Sequence, residues 1–217
     1  MRLVILVLLF SILVYFWYTQ YSFPHTLVIN LDHRTDRLAE IRNEFRSWPT
    51  PLERVPAVRL SPGWKGCSAS HLNCIRVAKQ RGYPWVLVLE DDCMLTPDAS
   101  RRFQEMLPVL WNTRSQWDIF YGGTTYIKNY SHKIKTLYEV KGFAAHFCLI
   151  HKNTYDLILE KYPLNEGKID VFYSDNFRIW TTAPFLAIQR PSKSDIESKN
   201  TDYENLFKDA EEKLLQN

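Results

Sequence analysis

This 217-residue sequence has little excess charge, no repetition and no cysteine framework. Its 27 Lys and Arg stand against 24 Asp and Glu, a net charge of only +3. Binding nucleic acid through its phosphates calls for a denser basic surface, so no nucleic-acid partner is expected. The absence of internal repeats and low-complexity tracts excludes a solenoid or a compositionally biased scaffold. The four cysteines, Cys67, Cys74, Cys93 and Cys148, show no zinc spacing. If Cys67 and Cys74 share a helix they stand about 10 Å apart, too far to bridge. Cys148 falls in an apolar run and reads as a buried thiol. A disulfide such as Cys67 to Cys93 stays open for an oxidising compartment.

The length suits one α/β domain, and 46% apolar with 14% aromatic residues supplies a full core. The N-terminus differs from the rest. Leu3 to Tyr18 is a 16-residue apolar run with one serine. As a helix it spans roughly 24 Å, short of an average bilayer core of about 30 Å but suited to a thinner membrane of the endoplasmic-reticulum type. Tyr15-Phe16-Trp17-Tyr18 resembles an interfacial aromatic belt. Arg2 and the amino terminus lie on the other side, so the positive-inside rule places the body in a lumen, that of the ER, Golgi or an equivalent. Tyr18 to Ser22 contains no small-x-small cleavage site, which favours an uncleaved, type II signal anchor. The expected organisation is an anchor at 1–18, a stem at 19–25, a globular domain at 26–196 and an acidic amphipathic helix at 197–217.

The most informative stretch is Trp85-Val86-Leu87-Val88-Leu89-Glu90-Asp91-Asp92. Its unbroken apolar run predicts a strand buried on both faces of an α/β sheet. Three carboxylates at its end raise each other's pKa unless a cation sits among them, and ligands of open α/β sheets bind beyond the carboxyl ends of strands. If the strand continues, Glu90 and Asp92 share one side and Asp91 faces the other. The run reads either as a site for Mg²⁺ or Mn²⁺ with a diphosphate or as an acidic turn capping the next helix.

Around it, Thr26 to Leu31 predicts another buried strand. Asp32-His33-Arg34-Thr35-Asp36-Arg37 follows, and then a helical stripe of Leu38, Ile41, Phe45 and Trp48. The two arginines suit phosphates or a nucleobase, or else a local ion pair at a solvated helix start. The proline-rich segment from Ser47 to Trp64 reads as a long loop. Ser68 or Ser70 reads as the cap of a helix through Leu72, Ile75 and Ala78. Thr96-Pro97 reads as cap and first position of the next helix. Trp117 to Gly123 and Gly142 to Ile150 read as strands. Asn129-Tyr130-Ser131 is a glycosylation sequon, usable in a lumenal body. Asp170 and Asp175 lie five apart. The tail from Asp202 puts Tyr203, Leu206, Phe207, Ala210 and Leu214 on one helix face.

Taken in order, these pieces resemble glycosyltransferase family 25, the group of bacterial lipopolysaccharide glycosyltransferases and procollagen galactosyltransferases. The matching residues are Val28-Ile29-Asn30-Leu31-Asp32 with Arg34, Asp36 and Arg37; Gly66-Cys67 with Ser70-His71; Leu89-Glu90-Asp91-Asp92; Phe143 to Phe147; Asp170; and Pro184 through Gln189 to Ser194-Asp195-Ile196. His146-Phe147 departs from the tyrosine more usual there. The resemblance implies a GT-A-type nucleotide-sugar-binding fold, with a mostly parallel central sheet flanked by helices behind an N-terminal transmembrane helix. It also implies an inverting, metal-dependent hexosyltransferase, with galactose or a related hexose passing from a UDP-sugar to a glycan or glycoprotein. On that basis Glu90 and Asp92 hold Mn²⁺ or Mg²⁺. Asn30, Asp32, Arg34 and Arg37 meet base and ribose, and Ser70, His71 and Asp91 complete the donor site. Asp91 is also open as the metal ligand. Asp170 is the general base, with Asp175 second. Two other classes stay open: an inactive family member serving as a binding or chaperone module, and a metal-dependent phosphohydrolase or nucleotidyltransferase.

Overall fold

A computed structural model describes residues 22–163, 166–193, 200–201 and 203–216. The expected anchor at 1–18, most of the stem and the Ser194-Asp195-Ile196 motif lie outside these residues. Among the described residues no helix is long and apolar enough to cross a membrane.

The body is one eight-stranded sheet between two layers of helices. In chain order its strands are β1 (His25–Asn30), β2 (Leu52–Pro56), β3 (Trp85–Glu90), β5 (Ile119–Tyr121), β6 (Thr125–Ile134), β7 (Leu137–Phe143), β8 (Phe147–His151) and β9 (Ile179–Thr182). Across the sheet the order is β2-β1-β3-β8-β5-β9-β7-β6. β7 and β8 run against the other strands, so the sheet is mixed but mostly of one direction. Two short strands, β4 (Cys93–Leu95) and β10 (Ala187–Gln189), form an antiparallel ladder beside it. A further pair joins β11 (Ser192–Lys193) to β12 (Asn200–Thr201). The helices are α1 (Thr35–Glu44), α2 (Gly63–Gln80), α3 (Ala99–Asn112), α4 (Tyr155–Lys161), α5 (Ile169–Asn176) and α6 (Glu204–Leu215).

Strand parity divides the core in two. Val86 and Val88 of β3, with Leu27 and Ile29 of β1, pack with Leu72 and Ile75 of α2, Tyr155 and Ile158 of α4, Tyr173 of α5 and Phe207 of α6. Trp85, Leu87 and Leu89, with Val28 of β1, pack with Ile41 of α1 and Phe103, Leu107 and Leu110 of α3. Successive side chains of a strand point to opposite faces, so β3 is apolar throughout because both of its faces are covered. Within the tail expected to be helical from 197, Asn200–Thr201 form β12 and the helix runs only over Glu204–Leu215; its Phe207 ring meets His146 edge-on at 5.1 Å.

Several local expectations are corrected. The segment read as a long loop contains β2, whose Leu52–Pro56 pair in parallel with Thr26–Asn30. Prolines hide strands in sequence, but β2 is at the sheet's edge, where a missing N–H costs least. α2 begins at Gly63 with Pro62 as its cap, so Ser68 and Ser70 lie inside the helix rather than capping it. Ser70 Oγ donates to the Gly66 carbonyl at 2.7 Å and accepts from Val58 N–H at 2.8 Å, tying the loop after β2 to α2. Thr96 does not cap α3. Its hydroxyl donates to the Phe185 carbonyl at 2.6 Å, and Asp98, in the left-handed region at φ 58°, precedes the helix. The apolar run from Gly142 to Ile150 is split between β7 and β8 by a turn at Ala144-Ala145-His146. All four cysteines are free, so no Cys67 to Cys93 disulfide forms.

Gly66 shows how tightly the loop meets α2: a Cβ there would lie 2.3 Å from the Val58 carbonyl oxygen. Alanine at a helix interior ordinarily stabilises by about 0.5–1 kcal/mol relative to glycine. Here Gly66→Ala should instead lower the melting temperature, because the obstructing atom is backbone. A higher melting temperature would show that the loop can yield.

Candidate functional site

The carboxyl ends of β1 and β3, the N-terminal part of α2 and the loop from Ala57 to Gly63 enclose a cleft of about 530 Å³. Asn30, Arg37, Cys67, Ser70, Glu90, Asp91 and Asp92 all line it, joined by His33 and Arg59. Parity decides where the acids go. Glu90 follows Val86 and Val88 toward α2, whereas Asp91 turns toward α1. The strand ends at Glu90, and Asp91-Asp92 form a turn into β4 rather than a continued strand.

Asp91 is held on both oxygens. Asn30 Nδ2 donates to Oδ2 at 2.7 Å, and Arg37 donates to Oδ1 at 3.0 Å in a buried ion pair. Burial still raises its pKa, against the lowering bonds from Asn30 and Arg37. Asn30 is itself oriented: its Nδ2 also donates to the Arg34 carbonyl at 2.9 Å, and its Oδ1 accepts from Arg54 at 3.0 Å. Arg54 also pairs with Asp32, whose carboxylate is otherwise exposed. Arg34 forms an ion pair with Asp36 at 2.8 Å, the local pairing weighed for it in the sequence. These contacts make Asn30 and Arg37 supports of the acidic turn.

Glu90 meets α2. His71 Nε2 lies 3.1 Å from its Oε1, and the Cys67 thiol donates weakly to the same oxygen at 3.5 Å. Burial works to raise the Glu90 pKa, but His71, His146 and Cys67 outweigh it and leave the carboxyl below its ordinary value. The Glu90 N–H donates to the His146 carbonyl at 3.0 Å. The His146 ring is wholly buried, and burial pulls its pKa down to about 4, so it is neutral near pH 7.

Asp92 is the acid left over. Its Oδ1 is buried with no hydrogen-bond partner among the described residues. Burial, then the charges of Glu90 and Asp91, push it well above the usual carboxylate range. Two like charges 4 Å apart cost about 4 kcal/mol at an effective dielectric of 20, more than the roughly 1 kcal/mol of a typical hydrogen bond. A bond from Gln189 therefore does not offset them. An orphaned buried oxygen, a carboxylate two residues away and a water-accessible cleft in front form an oxygen-donor set that fits a hard divalent cation.

Asp170 does not line this cleft. It stands in the first turn of α5, its Oδ1 accepts from Val171 N–H at 2.9 Å, and its carboxyl is raised by burial and then by the charge of Glu90. Asp175 is exposed. Five residues on a helix turn the side chain by about 140°, so the two acids face different ways. The sequence reading missed the company Cys67 keeps. The available signal was its spacing: Cys67 and His71 are i and i+4, one above the other on one helix face.

The Asp92 environment fixes the sign of a pH effect. A carboxyl whose folded pKa exceeds its unfolded value of about 3.9 keeps a proton the unfolded chain releases, so its contribution to stability falls as pH rises through that window. In chelator, Asp92→Asn should therefore melt higher than the parent, the gap opening from about pH 4 upward and closing again when Mn²⁺ is added. Parallel pH profiles for the two proteins would mean that Asp92 carries no such strain.

Comparison with known proteins identifies the family. Residues 52–183 match the family described as Glycosyltransferase family 25 (LPS biosynthesis protein). Procollagen galactosyltransferase 1-B from Xenopus laevis is 27% identical over 130 residues, 47% of this chain and 21% of that one. The chain thus spans about a fifth of the length of this curated relative. The crystal structure of a glycosyltransferase involved in the glycosylation of the major capsid of PBCV-1 superposes with a TM-score of 0.51 at 9% identity, over 90% of this chain and 100% of that one. At that identity the likeness concerns the fold alone. The match across β2 to β9, which carries Cys67, His71, the acidic turn and Asp170, places the chain in glycosyltransferase family 25.

Proposed function

We propose that this chain is an inverting hexosyltransferase that moves galactose or a related hexose from a UDP-sugar to a hydroxyl of a glycan or glycoprotein. The observation that carries this reading is the partnerless Asp92 oxygen beside Glu90 on the wall of the cleft. Glu90 and Asp92 would hold a divalent cation, Mn²⁺ or Mg²⁺, whose charge would offset that of the leaving diphosphate.

The residues of the chain do the rest. Asn30 and Arg37 fix Asp91, and through it the turn that presents Asp92. Arg59 and His33 give the cleft wall cationic and hydrogen-bonding groups for a phosphate or a base. Asp170, outside the cleft lining but near enough to Glu90 to feel its charge, would take the proton of an acceptor hydroxyl brought in from that side. Burial, opposed by the Val171 N–H and joined by the charge of Glu90, raises its pKa, which improves its strength as a base. One displacement with one base inverts the anomeric centre. Asp175 has no part in this scheme.

Two variants separate the roles. Asp92→Asn should abolish Mn²⁺-dependent binding of UDP-galactose by the full chain in calorimetry. Asp170→Asn should leave that binding intact and slow transfer by about 10²–10⁴-fold. Unchanged metal-dependent binding in the first variant would remove Asp92 from the site, and normal transfer in the second would discard Asp170 as the base. If the folded parent binds no donor with or without Mn²⁺, the chain is a binding module instead.

We also propose that residues 1–18 anchor the chain as a type II membrane protein with its body in the lumen. The support is the apolar run and its flanking Arg2, together with the exposed position of Asn129 on β6, where the sequon is accessible. Synthesis with microsomes should then add a glycan that Asn129→Gln removes. An unmodified, protease-sensitive body would place it on the cytosolic side.

A further inference from the structure

We propose that Cys67, His71 and Glu90 form a three-ligand site for a borderline transition-metal ion such as Zn²⁺, with its fourth position open to the cleft. One sulfur, one imidazole nitrogen and one carboxylate oxygen lie within 4.8 Å of one another. The Nε2 to Oε1 separation is 3.1 Å and the Sγ to Oε1 separation 3.5 Å. Bonds of about 2.0–2.3 Å at tetrahedral angles put ligand atoms roughly 3.3–3.7 Å apart. These two separations therefore need shifts of only a few tenths of an ångström.

The ligands sit on rigid elements. Cys67 and His71 occupy one face of α2 at i and i+4, and Glu90 ends β3, which α2 covers. His71 is fully buried behind the site, whereas Cys67 and Glu90 line the cleft. Three protein ligands facing an open volume match zinc sites that accept a fourth ligand, rather than closed structural sites. A thiolate and an imidazole also select against Mg²⁺, which prefers oxygen. The charges balance: the dication displaces the Cys67 thiol proton to solvent and is neutralised by that thiolate and the Glu90 carboxylate.

This site does not depend on the transfer reading, but it has a consequence for it. Glu90 is shared, so Zn²⁺ bound here draws on the carboxylate that the proposed Mn²⁺-supported reaction uses. Zinc would then inhibit transfer.

The test is metal binding by the full chain after chelation and dialysis, read by retained zinc and by Co²⁺ absorption. The expected result is one equivalent of tightly held Zn²⁺, and with Co²⁺ a sulfur-to-metal charge-transfer band together with four-coordinate d–d bands. Cys67→Ser should weaken Zn²⁺ binding by more than about 100-fold, beyond the 10–100-fold typical of losing an outer partner, and should abolish the charge-transfer band. Asp92→Asn should keep both signals. Cys67 is only partly buried, so its serine variant should fold, with a melting curve of the metal-free variant as the check. Absence of tight zinc, a Cys67→Ser variant that binds as the parent does, or loss of binding in Asp92→Asn would each overturn the proposal. Donor binding with Mn²⁺, measured separately, reports on the transfer reading and not on this one.

Discussion

The structure turns on where three consecutive carboxylates go when a doubly buried strand ends. Like charges this close cost several kcal/mol in a protein interior, and β3 offers only two faces and a turn. Glu90 goes to the α2 face, where His71 and Cys67 meet it. Asp91 goes to the α1 face, where Asn30 and Arg37 take both of its oxygens. Asp92 receives neither solution, and its strain faces the cleft. A cation would relieve that strain, so the cleft beside this turn is the place to look for chemistry.

Much of the surrounding structure serves that turn. The loop from Ala57 to Gly63 forms the opposite wall, and it is held close to α2 by Ser70 and by the absence of a side chain at Gly66. Arg54, from the edge strand β2, reaches across to orient Asn30 and pairs with Asp32. The arginines flanking the site thus differ in employment: Arg37 and Arg54 serve the protein's own acids, while Arg59 lines the volume a donor would fill. The α2 side adds sulfur and imidazole, so Glu90 stands between the oxygen donors of the acidic turn and the Cys67-His71 pair.

The buried strands at Thr26 to Leu31 and Trp85 to Glu90 were legible because both faces of each are covered, which leaves an apolar run with no alternation. The acidic turn was legible because three acids after such a run need explaining. The helix stripes of α2 and α6 could be read from period alone. β2 was not legible, since Pro51 and Pro56 mark a turn in sequence and only the sheet's free edge makes them tolerable. Nor was the role of Ser70, which looked like a cap and proved to be a tether.

The sequence by itself determined that β1 and β3 are buried on both faces and that three carboxylates stand at the end of β3, because an apolar run without alternation is written in local pattern. Tertiary structure alone decided which partners those carboxylates have. Asn30 reaches Asp91 across 61 positions of chain and Cys67 reaches Glu90 across 23. The first follows from the parallel pairing of β1 beside β3 and the second from how α2 seats on the sheet, and no local pattern encodes either. The same packing separates Asp170, raised by its burial and by Glu90, from Asp175, left in solvent one and a half turns further along α5.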